Sequence, residues 1–180
     1  VNYYMSLAYQ RDLWLALTAI WVSIIVYIRV VRPILMLKRP YKVNQVIEEL
    51  GDSWTLVLKP DGHKGMEIQA GQFAWITTES PFIFRENPFS FSTSSDRGDD
   101  LIGFTIKELG DFTSTIKRLE PGDTVYVDGP YGSFNLDDHY DNHLVLIAGG
   151  IGSAPVLSIL RTMRDRDREK PVIFFYGNPT

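Results

Sequence analysis

The sequence predicts a protein of mixed class: an apolar helix, then an antiparallel β domain, then the opening of a parallel α/β sheet. Three observations predict it. Residues 13–28, LWLALTAIWVSIIVYI, run without a charge. Beyond Tyr41, short strand-like runs alternate with turn residues at close spacing, the pattern of an antiparallel barrel or sandwich. After residue 141 the order is apolar strand, glycine turn, helix and strand, which opens a parallel sheet. The expected divisions are 1–40 for the helix and its basic flank, 41–140 for the β domain and 141–180 for the α/β segment.

The apolar helix comes first in the chain. Sixteen uncharged residues fall a little short of the ~20 that cross a bilayer core. Continuing through Val30, Val31 and Ile34 to Leu37 lengthens the run and brings in Arg29 and Arg32. Arginines near a helix end reach the headgroups by snorkelling. Tyr3, Tyr4, Tyr9, Trp14 and Tyr27 suit aromatic belts. The cations Arg29, Arg32, Lys38, Arg39 and Lys42 follow the run, which argues against a signal-peptide layout and puts the C-terminal side in the cytoplasm. A spanning helix is therefore expected, with a lipid membrane as partner. Pro33 and Pro40 end it.

Charge divides the chain in the same way. Residues 1–42 carry +5 and residues 43–180 carry −9, within a net charge of −4. An acidic body lacks the basic face that nucleic acid requires, so no nucleic-acid partner is expected. The chain has no cysteine, which excludes disulfides, thiolate metal sites and iron–sulfur ligation within it. His63, His139 and His143 sit among loop residues without helical pairing. They read as solvated side chains, and no metal site is expected. The chain lacks an initiator Met and stops at Gly177-Asn178-Pro179-Thr180, just after a strand, so it reads as part of a longer protein.

From Tyr41 the pattern changes period. Asp52–Pro60 places Trp54, Leu56 and Leu58 on one face of a strand. Phe73–Thr77, Phe89–Thr93 and Leu101–Lys107 follow. Asp111–Leu119 reads as a short helix that Asp111 or Thr113 caps. Thr124–Asp128 is the last strand of this region, ended by Gly129-Pro130. His143–Ala148 is continuously apolar, as in a strand buried on both faces. Ala154–Arg166 has helical spacing, with Val156, Leu157, Leu160 and Met163 on one side. Val172–Tyr176 is a second buried strand.

Three segments carry candidate chemistry. Gly150-x-Gly152-x-x-Pro155 joins a strand to a helix, where glycines admit a pyrophosphate and the helix N-terminus supplies N–H groups. Pro155 suits the first helical turn. Gly110, Thr113 and Ser114 follow the strand that ends at Lys107, and together they suggest a second anion site. Arg85 to Ser95 places Phe89, an aromatic able to stack on a flat ring, among Ser90 and Ser92 hydroxyls. Each segment also has a plain reading, as an ordinary βα turn, a capped helix and a Ser-rich strand edge.

Asn87-Pro88-Phe89-Ser90, Gly110-Asp111-Phe112-Thr113, Gly129-Pro130-Tyr131-Gly132 and Gly150-Ile151-Gly152-Ser153-Ala154-Pro155 occur in the order and spacing of the ferredoxin-reductase family. The chain resembles most the dehydrogenase portion of the NADPH oxidase and ferric reductase branch. The resemblance implies a six-stranded Greek-key β-barrel that binds FAD, followed by the start of an NAD(P)-binding domain. It implies that Phe89 packs on the isoalloxazine and that Ser90 lies near the flavin's reactive nitrogen as a tuning residue. Asn87, Pro88 and Ser92 fall in the same flavin segment. Lys107, Gly110, Thr113 and Ser114 match positions near the FAD pyrophosphate. Gly150, Gly152 and Pro155 match the nicotinamide-nucleotide turn. Gly129 to Gly132 resembles the link that closes the barrel.

Many family members have His or Arg at the position of Asn87, so phosphate binding is expected to lean on Lys107 or Arg85. The implied activity is a membrane-anchored oxidoreductase passing electrons from NADPH or NADH through FAD to membrane haem, and on to Fe(III) or O2. Haem is expected in a membrane domain outside this chain. The alternatives are a soluble-type flavin reductase feeding a separate carrier, and a non-catalytic FAD-binding or docking module. Tyr176-Gly177-Asn178 lacks the carboxylate that binds a ribose 2′-hydroxyl, which tilts toward NADP.

Overall fold

The computed structural model describes residues 2–83, 85–137, 144–167 and 171–177. His139, His143 and Asn178 lie outside them.

The chain opens as one continuous helical rod, α1 (Asn2–Val26), a π-helical turn (Tyr27–Val31) and α2 (Arg32–Leu37). The π turn has a local cause. Pro33 offers no N–H to the carbonyl four residues back, and its ring crowds that carbonyl. The ladder slips by one residue, and Arg32 N–H donates to the Tyr27 carbonyl. Leu7–Leu37 is long and apolar enough to cross a membrane. At 1.5 Å per residue it extends ~46 Å. From Leu7 to Val31 it stays exposed, whereas Pro33 and Met36 are buried against the next domain.

Six strands follow: β1 (Tyr41–Glu49), β2 (Ser53–Pro60), β3 (Phe73–Thr77), β4 (Asn87–Ser90), β5 (Ile102–Lys107) and β6 (Thr124–Tyr131). Their order is β4-β3-β6-β1-β2-β5, with every pairing antiparallel. The bridge from Phe91 to Phe104 joins the two ends, so the sheet closes into a barrel. Closure removes the free edges that would invite aggregation. Tyr41, Leu56, Leu58, Ile76, Phe91, Phe104, Ile106 and Val125 fill the interior at 1% exposure or less. The Phe91 and Phe104 rings meet there at 4.8 Å.

Several local expectations change. β1 is delimited by its pairing to β2 and β6, not by a clear alternation of its own. β6 does not stop at Asp128 but runs through Gly129 and Pro130 to Tyr131, with a register irregularity opposite Phe73–Trp75. A Cβ at Gly129 would stand 2.8 Å from the Ala74 Cβ, so only glycine lets the two strands lie this close. The expected helix at Asp111–Leu119 is a six-residue 3₁₀ segment, Thr113–Arg118. His63 is not merely solvated. Its Nδ1 accepts the Gly65 N–H at 3.0 Å, which leaves Nε2 to donate to the Pro40 carbonyl at 2.8 Å.

The last unit is β7 (Leu144–Gly149), α3 (Ser153–Asp165) and β8 (Val172–Gly177), with β7 and β8 parallel. Neither strand is buried on both faces. Leu146 alone is buried in β7, because α3 covers one side and, among the described residues, nothing covers the other. The buried stripe of α3 also differs from the expected one. Val156 and Met163 belong to it, but Leu157 and Leu160 are only half-buried, and Ser158 and Thr162 take buried places. Both polar side chains are buried because they bind the barrel, as described below.

Candidate functional site

β4 consists entirely of Asn87, Pro88, Phe89 and Ser90, paired with Ile76, Trp75, Ala74 and Phe73 of β3. Proline is tolerated there because β4 is a short strand with ladder bonds to one neighbour. Pro88 is exposed, and Asn87, Phe89 and Ser90 are half-buried. The Phe89 ring lies 5.9 Å from Phe112 with 18° between planes. Phe112 belongs to a motif noted in the sequence, but no role was expected of it. Only the fold shows that residues 23 apart form one aromatic wall. Thr78, Arg85, Asn87, Asp111, Phe112 and Thr115 line an adjoining cleft of 490 Å³.

Ser92 departs from expectation. β4 ends at Ser90, Phe91 enters the core, and Ser92 is wholly enclosed. The alternation that would set Ser92 beside Ser90 is broken by barrel closure. The Ser92 hydroxyl lies in the interior without a hydrogen-bond partner, so it cannot face a cofactor on the surface. Its carbonyl is engaged instead, accepting from the Arg161 guanidinium.

The Gly110 turn is also not the open anion cradle expected. Thr113 Oγ1 accepts the N–H groups of Leu109 at 2.8 Å and Gly110 at 2.9 Å. Ser114 Oγ donates to the Asp111 carbonyl at 2.8 Å. The turn is thus satisfied internally, and Asp111 makes no cap. Gly110 itself faces open space where a Cβ would project.

Lys107 closes β5 and lines a groove of 330 Å³ with Ser53, Thr105, Gly150, Arg161 and Tyr176. It is therefore grouped with the Gly150 turn and not with the Asn87 cleft. Gly150 has φ +51°, a conformation that favours glycine, and a Cβ at Gly150 or Gly152 would meet nothing within 4 Å. α3 starts directly after, with Pro155 in its first turn. The groove combines Lys107 and Arg161 with a glycine turn and a helix start, elements that suit a phosphate, and Glu49 adds one carboxylate to its lining. Arg161 escaped the sequence reading because it follows the α3 apolar pattern without a motif of its own.

α3 is fastened to the segment that follows β4. Ser158 Oγ donates to the Thr93 carbonyl at 2.6 Å, and the Ser95 N–H donates to Thr162 Oγ1 at 2.9 Å. Arg166 pairs with both Asp96 and Asp137, and these carboxylates raise its pKa. At the opposite side of the barrel, Arg32 of α2 donates from Nε to Asp128 Oδ2 at 2.7 Å and from a terminal nitrogen to Glu86 Oε2 at 2.6 Å. The snorkelling expected of Arg32 is replaced by this double pairing. The Tyr131 hydroxyl joins it, donating to Asp128 at 2.7 Å. Burial and that bond push the Tyr131 pKa up to about 12.

A half-buried aromatic pair, a neighbouring serine, and glycines opening onto free space beside two cations fit a flat ring system and a pyrophosphate. These features are similar to those of ferredoxin-reductase-type FAD/NAD-binding modules, and the comparisons support that likeness. Residues 146–180 match the oxidoreductase NAD-binding domain family. The reductase component of propane 2-monooxygenase from Mycolicibacterium smegmatis is 34% identical, over 77% of this chain and 40% of its own length. Respiratory burst oxidase homolog protein D of Arabidopsis thaliana is 28% identical, over 94% of this chain and 21% of its own. The flavohem-like FAD/NAD-binding domain of nitric oxide dioxygenase from Vibrio cholerae shares the fold, with a TM-score of 0.67 at 21% identity. That match covers 79% of this chain and 63% of the other. This chain thus spans well under two-thirds of the two curated relatives.

Proposed function

We propose that the chain is the flavin-carrying part of a membrane-anchored oxidoreductase, taking electrons from NAD(P)H to an acceptor in the membrane. Bound FAD supplies the conversion between two-electron and one-electron transfer. The residues supply binding and orientation. Phe89 and Phe112 present the stacking face, Ser90 offers a hydroxyl at its edge, and Lys107 and Arg161 supply positive charge for phosphate. Gly150, Gly152 and Pro155 shape the nucleotide turn. In this reading the barrel is residues 41–140 and the nucleotide-binding segment 141–180, with the barrel on the cytoplasmic side. Haem belongs to further membrane helices, and O2 or Fe(III) is the terminal acceptor.

The carrying observation is the pairing of Arg32 with Glu86 and Asp128. Glu86 immediately precedes the flavin strand, so the apolar helix grips the barrel next to Phe89 and Ser90. A reductase that merely floats beside a carrier has no need of that grip. The similarity to the burst oxidase homolog, which extends through nearly the whole chain, supports the same reading.

Two measurements test it. Carbonate washing should leave the chain in membranes, and purified protein should bind FAD with Phe89→Ala weakening binding by about tenfold, the worth of one stacked ring. Release by carbonate would favour the second reading, a reductase feeding a separate carrier, which the higher identity to the propane monooxygenase reductase component supports. Undiminished FAD affinity in Phe89→Ala would remove the proposed flavin site.

A further inference from the structure

Pro81-Phe82-Ile83 is a short 3₁₀ turn whose first residue is buried and whose next two are 43% and 51% exposed. The turn is held in place. The Ile83 N–H donates to the Ser80 carbonyl at 2.9 Å, and the Phe82 N–H donates to Ser80 Oγ at 3.4 Å. It packs beside α2, whose Ile34 and Leu35 are themselves exposed. The apolar surface of the helix therefore continues sideways onto the barrel. Lys38 and Arg39 follow α2 directly, and Arg85 lies two residues beyond the turn, so cations flank both apolar segments along the chain. Glu79, the nearby carboxylate, pairs with Arg85 at 3.5 Å.

An ordered turn that presents Phe and Ile side by side, beside an apolar helix and with cations flanking both in the chain, has the composition of an interfacial anchor. Arg32 is engaged with the barrel, so the hydrocarbon core lies on the N-terminal side of α2. That sets the turn at headgroup depth, where an aromatic and cations are both accommodated. We propose that Phe82 and Ile83 form a second membrane contact, seated among phospholipids at the headgroup–acyl boundary of the leaflet the helix leaves. The inference rests on the membrane-anchored reading. It adds what one helix cannot provide. Were this helix the barrel's one hold on the membrane, the barrel could turn about its axis, and a second contact of the barrel itself fixes that angle. β4 begins four residues after Ile83, so the depth of the turn sets the height of Phe89 and Ser90.

The absence of cysteine makes the test direct. Ile83→Cys and Phe82→Cys would each carry a nitroxide in the 180-residue chain, reconstituted in nanodiscs of phosphatidylcholine and phosphatidylglycerol. Ile20→Cys in the span and Leu50→Cys, at a position 97% exposed in the β1–β2 turn, serve as lipid and water references. Collision with oxygen reports lipid, and collision with a water-soluble nickel chelate reports solvent. The expected result is nickel accessibility at 82 and 83 about tenfold below that at 50, with oxygen accessibility near that at 20, since lipid excludes the hydrated chelate. If the label at 20 is in lipid while those at 82 and 83 match position 50, the inference is overturned and the anchored reading stands. Labels at 82 and 83 shielded from both reagents would mean that protein covers the turn, which also overturns it. Nickel access at position 20 would overturn the anchored reading and the inference together.

Discussion

Arg32 Nε lies 2.7 Å from Asp128 Oδ2, and its other guanidinium nitrogen reaches Glu86. One side chain from the apolar helix thereby satisfies two carboxylates from different walls of the barrel. The Glu86 and Asp128 side chains are 10% and 19% exposed, so little water is at hand to replace the arginine. Arg32→Gln should therefore lower stability by ~2 kcal/mol, less than for fully buried pairs because some solvent reaches the site. That corresponds to a fall of about 6 °C in thermal midpoint for a chain of this size. Adding Glu86→Gln and Asp128→Asn to the variant should recover part of the loss. A midpoint unchanged by Arg32→Gln would mean the pairing is not part of the folded state in solution.

Ser90 and Ser92 separate by a simple comparison. The Ser92 hydroxyl is enclosed and has no partner, so Ser92→Ala removes an uncompensated polar group. Its stability should be unchanged or higher by up to ~1 kcal/mol, and FAD affinity should not move. Ser90→Ala should leave stability unchanged and alter the flavin, read as a shift in its absorbance or reduction potential. Loss of FAD binding in Ser92→Ala would contradict the inward placement of that residue.

Tyr41 and Tyr131 give the fold an alkaline limit. Burial raises both pKa values to about 12 from the ordinary 10.0, with the Asp128 hydrogen bond adding to the shift at Tyr131. A tyrosine whose folded pKa is raised holds its proton more tightly when folded. The stability this gives is complete below pH 10, and it is lost as pH climbs toward 12. Denaturation midpoints should fall over that window, and phenolate absorbance should show two late-titrating tyrosines. Tyr41→Phe should remove one of them and flatten the decline.

Thr162 and Ser158 are expected to control how firmly the nucleotide helix holds the flavin-strand extension. Thr162→Val keeps the shape of the side chain but deletes the acceptor for the Ser95 N–H. Amide exchange at Ser95 should accelerate by about fivefold or more, the equivalent of one lost hydrogen bond. Exchange at Leu56 and Leu58 in the barrel interior should not change. Equal acceleration at both places would indicate general destabilisation and not local release.

The architecture was legible where periodicity is strong. Leu56 and Leu58 alternate as core residues should, and the apolar run 13–28 and the Gly150 turn stand out without a structure. What escaped depended on distant partners. β1 is defined by its ladders to β2 and β6, Phe112 matters through its ring contact with Phe89, and Arg32 through carboxylates 54 and 96 residues away. Ser92 misled because strand alternation holds only while the strand lasts, and barrel closure at Phe91 interrupts it. Lys107 stands near Gly110 in sequence, whereas the groove it lines is shared with Gly150, a grouping that only the fold reveals.

The fastening of α3 to residues 92–96 has a consequence for how such a protein can diversify. The flavin strand ends at Ser90 and the first of these bonds lies at the Ser92 carbonyl. The two halves of the module thus take their mutual position from these bonds, from the Arg166 pairing with Asp96 and Asp137, and from the apolar cluster that Ala70 and Leu136 share with Val156 and Ile159. At Gly51, Gly62 and Gly98 a Cβ would meet nothing within 4 Å, so these turns have room to lengthen, while their positive φ of 72°, 75° and 77° keeps glycine at the positions themselves. The reach between flavin strand and nucleotide turn would be inherited unchanged, while the outer surface adapts to new electron acceptors.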